Sequence, residues 1–263
     1  MIALTIVVAT FNVEDGLRKT VRSLEEQVID DKSAVELIMI DGGSRDSTVE
    51  VAERSGLFDR IISEPDRGVY DAMNKGLGLA RGRWVQFLNA GDAYTDDQSL
   101  RHVLEALRSF GSQNVKWAVT RARNIAAGGA AIRNLPHSWS RHALGLQPHC
   151  HQATYFDAGL LSAIGAHALD LGTAADFDAI MRVGLAAGQP GYIDRMTIDY
   201  EGGGMSDVGA ARTARTLSRV RQRRFDLTAP TLAIERLVTA SVVLFNTLRI
   251  FGGGVRQRVR RRS

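Results

Sequence analysis

Five charged side chains, Asp66, Arg67, Asp71, Lys75 and Asp92, fall within 27 residues of the stretch SEPDRGVYDAMNKGLGLARGRWVQFLNAGD. The run RWVQFL inside it is apolar enough to lie within a sheet. The stretch therefore reads as a charged loop, a short helix, a buried strand and a turn ending on a carboxylate. Charged groups at the carboxyl end of a central strand are how an open α/β sheet makes a ligand site. Two more groups lie farther on. Asp176 and Asp178 stand at the start of the helix predicted for AADFDAIMR, where the macrodipole favours carboxylates. His149 and His151 in PHCHQATYF point the same way on an extended strand. Each group also has a purely structural reading. Asp71 and Lys75 suit an i, i+4 surface pair, Asp41 and Asp46 suit turn and cap residues, and paired histidines beside apolar sequence are often structural.

These side chains need a scaffold. ALTIVVAT is a continuous apolar, β-branched run, the pattern of a strand buried on both faces of a parallel sheet. It ends at Thr10, Phe11 and Asn12. Leu17, Val21, Leu24 and Val28 then recur at helical spacing, one buried stripe of a helix over 14–27. VELIMID predicts a second buried strand stopping at Asp41-Gly42-Gly43-Ser44, and Asp46-Ser47-Thr48 an N-cap for a helix over 49–55. DRIISEP predicts a short third strand and RWVQFLN a fourth. This alternation implies right-handed crossovers and a parallel sheet with helices on both sides. The strand ends carry Thr10/Asn12, Asp41/Ser44, Glu64/Asp66/Arg67 and Asn89/Asp92, and the topology gathers them on one edge. Strand ends are also polar because loops are solvated, but four clusters with repeated carboxylates favour a site.

Farther along, Leu100, Val103, Leu104 and Leu107 predict an inward helix face over 96–109. VKWAVTRARNIA predicts a strand, and AAGGAA a turn. The stretch 133–145, with His137, Trp139 and His142, is irregular. A short strand, a helix from Asp157, the AADFDAIMR helix, a closing strand PGYIDRMTIDY and a glycine-rich turn EGGGMS complete the body. From Arg212 to Ser263 there are thirteen arginines and two acidic residues, a net +11, which leaves −7 for the rest of a chain whose total is +4. An acidic body with a basic tail separates the chemistry from an anionic surface contact. The middle of the tail, TLAIERLVTASVVLFNTLRIFGGG, contains Glu235, Arg236 and Arg249. It is therefore a poor membrane-crossing helix and a better interfacial one, with flanking arginines drawn to anionic lipid. An amphipathic helix packed on its own domain or a second subunit is the alternative.

The bulk properties bound the rest. The chain has 263 residues, 44% hydrophobic and 24% charged, as expected for one large α/β domain with a tail. Its single cysteine, Cys150, excludes an intramolecular disulfide and suits a reducing compartment. MIALTIVVAT lacks a basic n-region and runs directly into strand-like sequence, so a cytoplasmic location is expected. No GxGxxG follows the first strand and no GxxxxGK[ST] occurs, which removes the main support for dinucleotide and P-loop readings.

Six stretches in order, VVATFN, IDGGSRDST, SEPDRGVYDAMNKG, FLNAGD, PHCHQATYF and AADFDAIMR, resemble the inverting family 2 glycosyltransferases of GT-A fold, over about residues 2–206. The branch that builds bacterial polysaccharides or glycolipids, of colanic-acid or phenolic-glycolipid type, is the most similar in character. The resemblance implies an α/β GT-A fold with a mostly parallel central sheet flanked by helices. It makes 1–206 the catalytic domain and 207–263 a basic amphipathic helical tail. It places Thr10, Phe11 and Asn12 at the base and ribose, Asp41 as acceptor of a base N–H, and Ser44 in that turn. It turns Asp66 and Arg67 toward the nucleotide, leaving Asp71 and Asn74 between a ligand and a supporting role. FLNAGD stands at the family's D-x-D metal motif, with Asn89 and Gly91 at acidic positions and Asp92 as the remaining carboxylate. A Mg²⁺ or Mn²⁺ ion would then be held by Asp92 and His151, ranked above His149, with diphosphate oxygens and water. The family's E-D pair reads Ala175-Asp176 here, so Asp176 is the expected base, Asp178 its alternate, and Arg182 a helix-holding or diphosphate group.

The implied activity is metal-assisted, inverting sugar transfer from a UDP-, dTDP- or GDP-linked donor to a lipid-linked or polysaccharide acceptor in cell-envelope glycan synthesis. The implied location is cytoplasmic, peripheral on the inner face of the plasma membrane, and the sequence is compatible with a homo-oligomer. A nucleotidyltransferase would need a glycine-rich basic loop that TFNVEDG does not supply. A degenerate, non-catalytic nucleotide-sugar binder is the alternative suggested by Asn89 and Ala175, and a nucleic-acid binder the one suggested by the arginine-rich tail. The leucines, valines and phenylalanines interleaved in that tail favour a membrane, and no nucleic-acid partner is expected.

Overall fold

The computed structural model describes residues 2–125, 131–132, 150–200, 210–224, 228–241 and 244. Four parallel strands form one half of the sheet: β1 (Leu4–Thr10), β2 (Val35–Asp41), β3 (Arg60–Ser63) and β4 (Trp84–Asn89). Three helices connect them, α1 (Glu14–Glu25), α2 (Thr48–Ser55) and α3 (Val69–Leu79). Their register puts Thr10 opposite Asp41, Asp41 opposite Ser63, and Ala9 opposite Asn89. The four predicted polar clusters therefore do share one edge.

Past β4 the sheet is mixed, because three short strands run against the others, while six of the nine strands keep one direction, as a mostly parallel sheet was expected to. β8 (Thr154–Asp157) lies antiparallel to both β4 and β6 (Trp117–Asn124). β9 (Gly191–Tyr200) runs parallel to β6, and β5 (Ala93–Tyr94) and β7 (Ala131–Ile132) add short antiparallel pairings. The reason is local. The whole short strand β8 is inserted between two partners, and α5 (Ala158–Ala163) follows it immediately, with Asp157 accepting the Leu160 N–H as its cap.

Alternation along β1 divides the core. Leu4, Ile6 and Val8 pack with Leu17, Val21 and Leu24 of α1 and with Leu100, Val103, Leu104 and Leu107 of α4 (Ser99–Ser112). Val7 and Ala9 face Ala72, Met73 and Leu77 of α3 and Ala179, Ile180 and Val183 of α6 (Ala175–Ala187). A strand buried on both faces is what its continuous apolar run demanded. Val28, predicted as part of the α1 stripe, is exposed because the helix stops at Glu25. At Gly76 a Cβ would sit 2.3 Å from Val7 Cγ1, so only glycine lets α3 lie this close to the sheet.

The tail is partly docked on the body. α7 (Ala210–Arg224) sends Leu217 and Val220 into a cluster with Ala174, Phe177 and Met181. The stretches 133–149, with His137, Trp139, His142 and His149, together with EGGGMS and the terminal VRQRVRRRS, lie outside the described residues. Among the described residues, no helix is long and apolar enough to cross a membrane.

Candidate active site

The ends of β1 and β2 are tied into one rigid rim. Asp41 is fully buried, and its Oδ2 accepts the Gly43 N–H at 3.0 Å, the Ser44 N–H at 2.8 Å and the Ser63 hydroxyl at 2.7 Å. The Ser44 hydroxyl donates to its other oxygen. Asp41 thus orders the turn that follows β2, with three of these bonds on Oδ2 and one on Oδ1. Ser44 Oγ also accepts the Asn12 N–H at 2.7 Å, and Asn12 Oδ1 accepts the Arg45 N–H at 2.8 Å. Asn12 is left-handed at φ 49, a conformation that asparagine tolerates. Its role is to join two loops. Asp46 orders the start of α2 by accepting the Thr48 N–H at 3.1 Å, as a capping residue does.

An open face remains on this rim. Phe11 is 59% exposed, and a Cβ on Gly42 would lie 2.8 Å from Asp66 Oδ2 and 3.2 Å from Phe11 Cδ2. The Phe11 ring and the Asp66 carboxylate thus both pack close to Gly42. Asp66 Oδ1 accepts the Gly68 N–H at 2.8 Å, and Oδ2 lies beside Gly42. Arg67 is exposed and reaches Asp71 at 2.9 Å. Asp71 is buried and also accepts the Arg67 N–H at 3.1 Å, and the Arg67 guanidinium holds its carboxyl below the usual carboxylate range. Asp71 therefore braces the loop from within. The surface pair weighed for Asp71 and Lys75 does not form, because Lys75 pairs with Glu64 at 2.7 Å and donates to the Pro65 carbonyl at 3.0 Å.

At the end of β4, Gly91 takes φ 109, a left-handed conformation that explains why no acidic side chain stands there. Thr20 of α1 pins this turn, donating to the Asp92 carbonyl at 2.7 Å and accepting the Gly91 N–H at 3.0 Å. Asp92 Oδ2 accepts the Asn89 N–H at 3.0 Å. Two buried side-chain oxygens at this edge, Thr10 Oγ1 and Asn89 Oδ1, have no hydrogen-bond partner among the described residues. Unpaired buried acceptors at a strand end call for a ligand.

His151 lies between the end of β4 and Asp176. Its Nε2 lies 3.4 Å from Asn89 Nδ2, and its Nδ1 lies 3.4 Å from Asp176 Oδ2. Asp176 Oδ1 accepts the Phe177 N–H at 2.7 Å. The Tyr70 hydroxyl also hydrogen-bonds Asp176; burial, and then the charge of that carboxylate, push its pKa far up, so it stays protonated. Sequence reading did not single out Tyr70, which sits one residue before Asp71 in GVYDAMNKG. It missed His167 as well. His167 is buried against Phe87, with ring centroids 5.0 Å apart, and its N–H donates to Asn74 Oδ1 at 2.9 Å. Burial, with His151 nearby, lowers its pKa to about 4, so it is neutral under ordinary conditions. Asn74 returns a bond to the His167 carbonyl at 2.8 Å, which gives it a bracing role.

The two aspartates of α6 differ in surroundings. Asp178 has no exposed side-chain surface and is held by Arg182 at 2.8 Å and Arg224 at 2.6 Å, whereas Asp176 keeps 11% of its side-chain surface. Asp178 cannot serve as alternate base while paired with two guanidinium groups. Arg182 also holds this helix in place: its remaining nitrogens donate to the Ile164 and Ala166 carbonyls. Among the described residues no three His, Cys, Asp or Glu side chains converge as a ready-made metal cage.

The single cysteine adjoins this site. Cys150 Sγ lies 2.7 Å from Gln152 Oε1, and burial together with the Asp92 charge pushes the thiol up to about 12. Because only the thiolate is nucleophilic, iodoacetamide should leave the native protein unlabelled at pH 8, and labelling should appear on denaturation. Rapid native labelling, followed by mass spectrometry, would contradict this environment.

Comparison with known proteins bears on the family and the fold. The sequence profile described as "Glycosyl transferase family 2" matches residues 5–127. An uncharacterized glycosyltransferase of Mycobacterium tuberculosis is 36% identical over 185 residues, which span 69% of this chain and 68% of that protein. A PGL/p-HBAD biosynthesis glycosyltransferase of Mycobacterium bovis is 32% identical over 184 residues, covering 68% of each chain. The mannosyltransferase PcManGT of Pyrobaculum calidifontis, solved with GDP-Man and Mn²⁺, superposes with a TM-score of 0.68 at 15% identity. That match covers 96% of this chain and 75% of that one, and shows the shared GT-A architecture. By sequence, fold and the arrangement of its strand ends, the chain is a glycosyltransferase and belongs to glycosyl transferase family 2.

Proposed function

We propose that the enzyme transfers a sugar, with inversion, from a nucleoside-diphosphate donor to a lipid-linked or polysaccharide acceptor, at the inner face of the plasma membrane. The observation that carries this reading is His151, which links Asn89 at the end of the donor strand to Asp176 at the start of α6. In the reaction, Asp176 takes the proton of the acceptor hydroxyl as that oxygen attacks the anomeric carbon. The bond to the diphosphate breaks on the opposite side, and the nucleoside diphosphate leaves. The Phe177 N–H and His151 hold the carboxylate aimed, and Tyr70 donates to it.

The base of the nucleotide lies beside Phe11, Gly42 and Asp66, with Thr10 and Asn12 on the same rim and Arg67 over the phosphates. The unpaired Asn89 Oδ1 and the Asp92 carboxylate form an oxygen donor set that fits Mg²⁺ or Mn²⁺ taking its other ligands from diphosphate and water. Such a cation would supply neutralisation of the charge that develops on the leaving group. His151 is assigned to orienting Asp176, because both ring nitrogens already face protein groups. GDP-Man and Mn²⁺ in PcManGT, and the biosynthetic role named for the Mycobacterium bovis relative, are in keeping with this donor chemistry and a glycolipid acceptor.

The test is a thermal-shift panel of UDP-, dTDP- and GDP-sugars with and without Mn²⁺. One donor should raise the melting temperature only with the ion present, since binding to the native state alone stabilises it, and that donor should support transfer. Stabilisation by no nucleotide sugar would overturn the reading.

A further inference from the structure

The C-terminal helices form a hairpin with one face turned to the catalytic body and another to solvent. Arg221, almost wholly buried, donates to Glu235 Oε1 at 2.6 and 3.2 Å and to Thr239 at 2.8 Å; Gln222 donates to Glu235 Oε2 at 3.0 Å. These bonds close α7 on the helical stretch 229–241. α7 is in turn seated on α6 through Leu217 and Val220 and through Arg224, which donates to both oxygens of Asp178 at 2.6 and 3.1 Å. Asp178 stands two residues from Asp176.

With Glu235 and Thr239 facing inward, a helix turning about 100° per residue brings Ile234, Leu237 and Leu244 together on another side. They are 53%, 68% and 60% exposed. Three aligned, exposed aliphatic side chains require a partner. Charge identifies it. The segment 212–263 carries thirteen arginines against Asp226 and Glu235; Arg221 and Glu235 pair inside the hairpin, and Arg223 and Arg224 pair with Asp170 and Asp178 of the body, which still leaves a large positive excess. A second copy would set +11 against +11. A nucleic acid would leave the aliphatic face uncovered. An anionic bilayer satisfies both features, by burying the aliphatics and attracting the arginines.

We propose that the face formed by Ile234, Leu237 and Leu244 docks on an anionic lipid bilayer, and that the α7–α6 contacts hold Asp176 at that surface, where it meets a lipid-anchored acceptor. The acceptor half rests on the transfer reading above, while the docking half does not.

The experiment is flotation of the full chain with phosphatidylcholine vesicles, with and without phosphatidylglycerol, for the wild type and an I234E/L237E variant. The wild type should float only with phosphatidylglycerol. The variant should partition about tenfold less or worse, given the apolar area lost to the bilayer, at an unchanged melting temperature and with undiminished donor stabilisation. Absence of wild-type flotation, equal flotation of the variant, or a wild-type dimer split by the two substitutions would overturn the proposal. So would a variant that melts several degrees lower, which would mean that the chain itself covers this face. Flotation without stabilisation by any nucleotide sugar would sink the transfer reading and leave the docking surface standing. Donor stabilisation without flotation would do the reverse.

Discussion

Asp176→Asn is expected to lower the transfer rate by about two to four powers of ten, the usual contribution of a positioned general base, while nucleotide binding and melting temperature stay at wild-type values. The substitution keeps an oxygen to accept the Phe177 N–H and places an amide nitrogen, which cannot take the acceptor proton, in the position of the second carboxylate oxygen. Asp178→Asn provides the contrast. That carboxylate is fully buried between Arg182 and Arg224, so neutralising it leaves two guanidinium groups short of a partner. The expected loss is about 3–5 kcal/mol of stability, seen in urea denaturation, with the catalytic rate of the folded fraction largely kept. Single-turnover kinetics on both variants decide the matter. Wild-type-like turnover in Asp176→Asn would remove the base assignment.

Asp92→Asn is expected to weaken Mn²⁺-dependent nucleotide binding about a hundredfold or more, on the scale of other electrostatic groups at a leaving diphosphate. The backbone turn should survive. The Asn89 N–H can still find an oxygen acceptor at position 92, and Thr20 is bonded to the Asp92 main-chain carbonyl rather than to its side chain. Mn²⁺ titration of the nucleotide-induced melting shift measures this directly, and an unchanged midpoint would refute it. His151→Ala is the informative companion. It should keep the Mn²⁺ midpoint and lose rate. Loss of metal-dependent stabilisation equal to that of Asp92→Asn would return His151 to the metal, as the family resemblance implied.

The scaffold was legible in the sequence because its signals are local. A continuous apolar run specifies a strand buried on both faces, and apolar residues at helical spacing specify the faces of α1 and α4. From those alone, the four parallel strands and their shared polar edge follow. The antiparallel insertion of β8 did not follow, since nothing inside a four-residue strand states which distant strands it will join. The roles of the carboxylates were harder still. Asp41, Asp66, Asp92, Asp176 and Asp178 are alike in sequence, each beside a turn or at a helix start. What separates them is the company they keep. Asp41 meets Ser63, 22 residues away, and Asp178 meets Arg224, 46 residues away.

By itself, then, the sequence determined which stretches are strands and helices, that the polar strand ends gather on one edge, and that a basic amphipathic segment follows an acidic body. Tertiary structure alone decided which charged groups remain free to act. Asp41, Asp71, Asp178 and Arg182 are bonded into the fold, whereas Phe11 stays exposed and Asp176 is met by Tyr70 and His151 from distant segments. The physical reason is that a charged side chain is neutralised or left active by partners within a few ångströms in space, and separation along the chain does not encode that proximity.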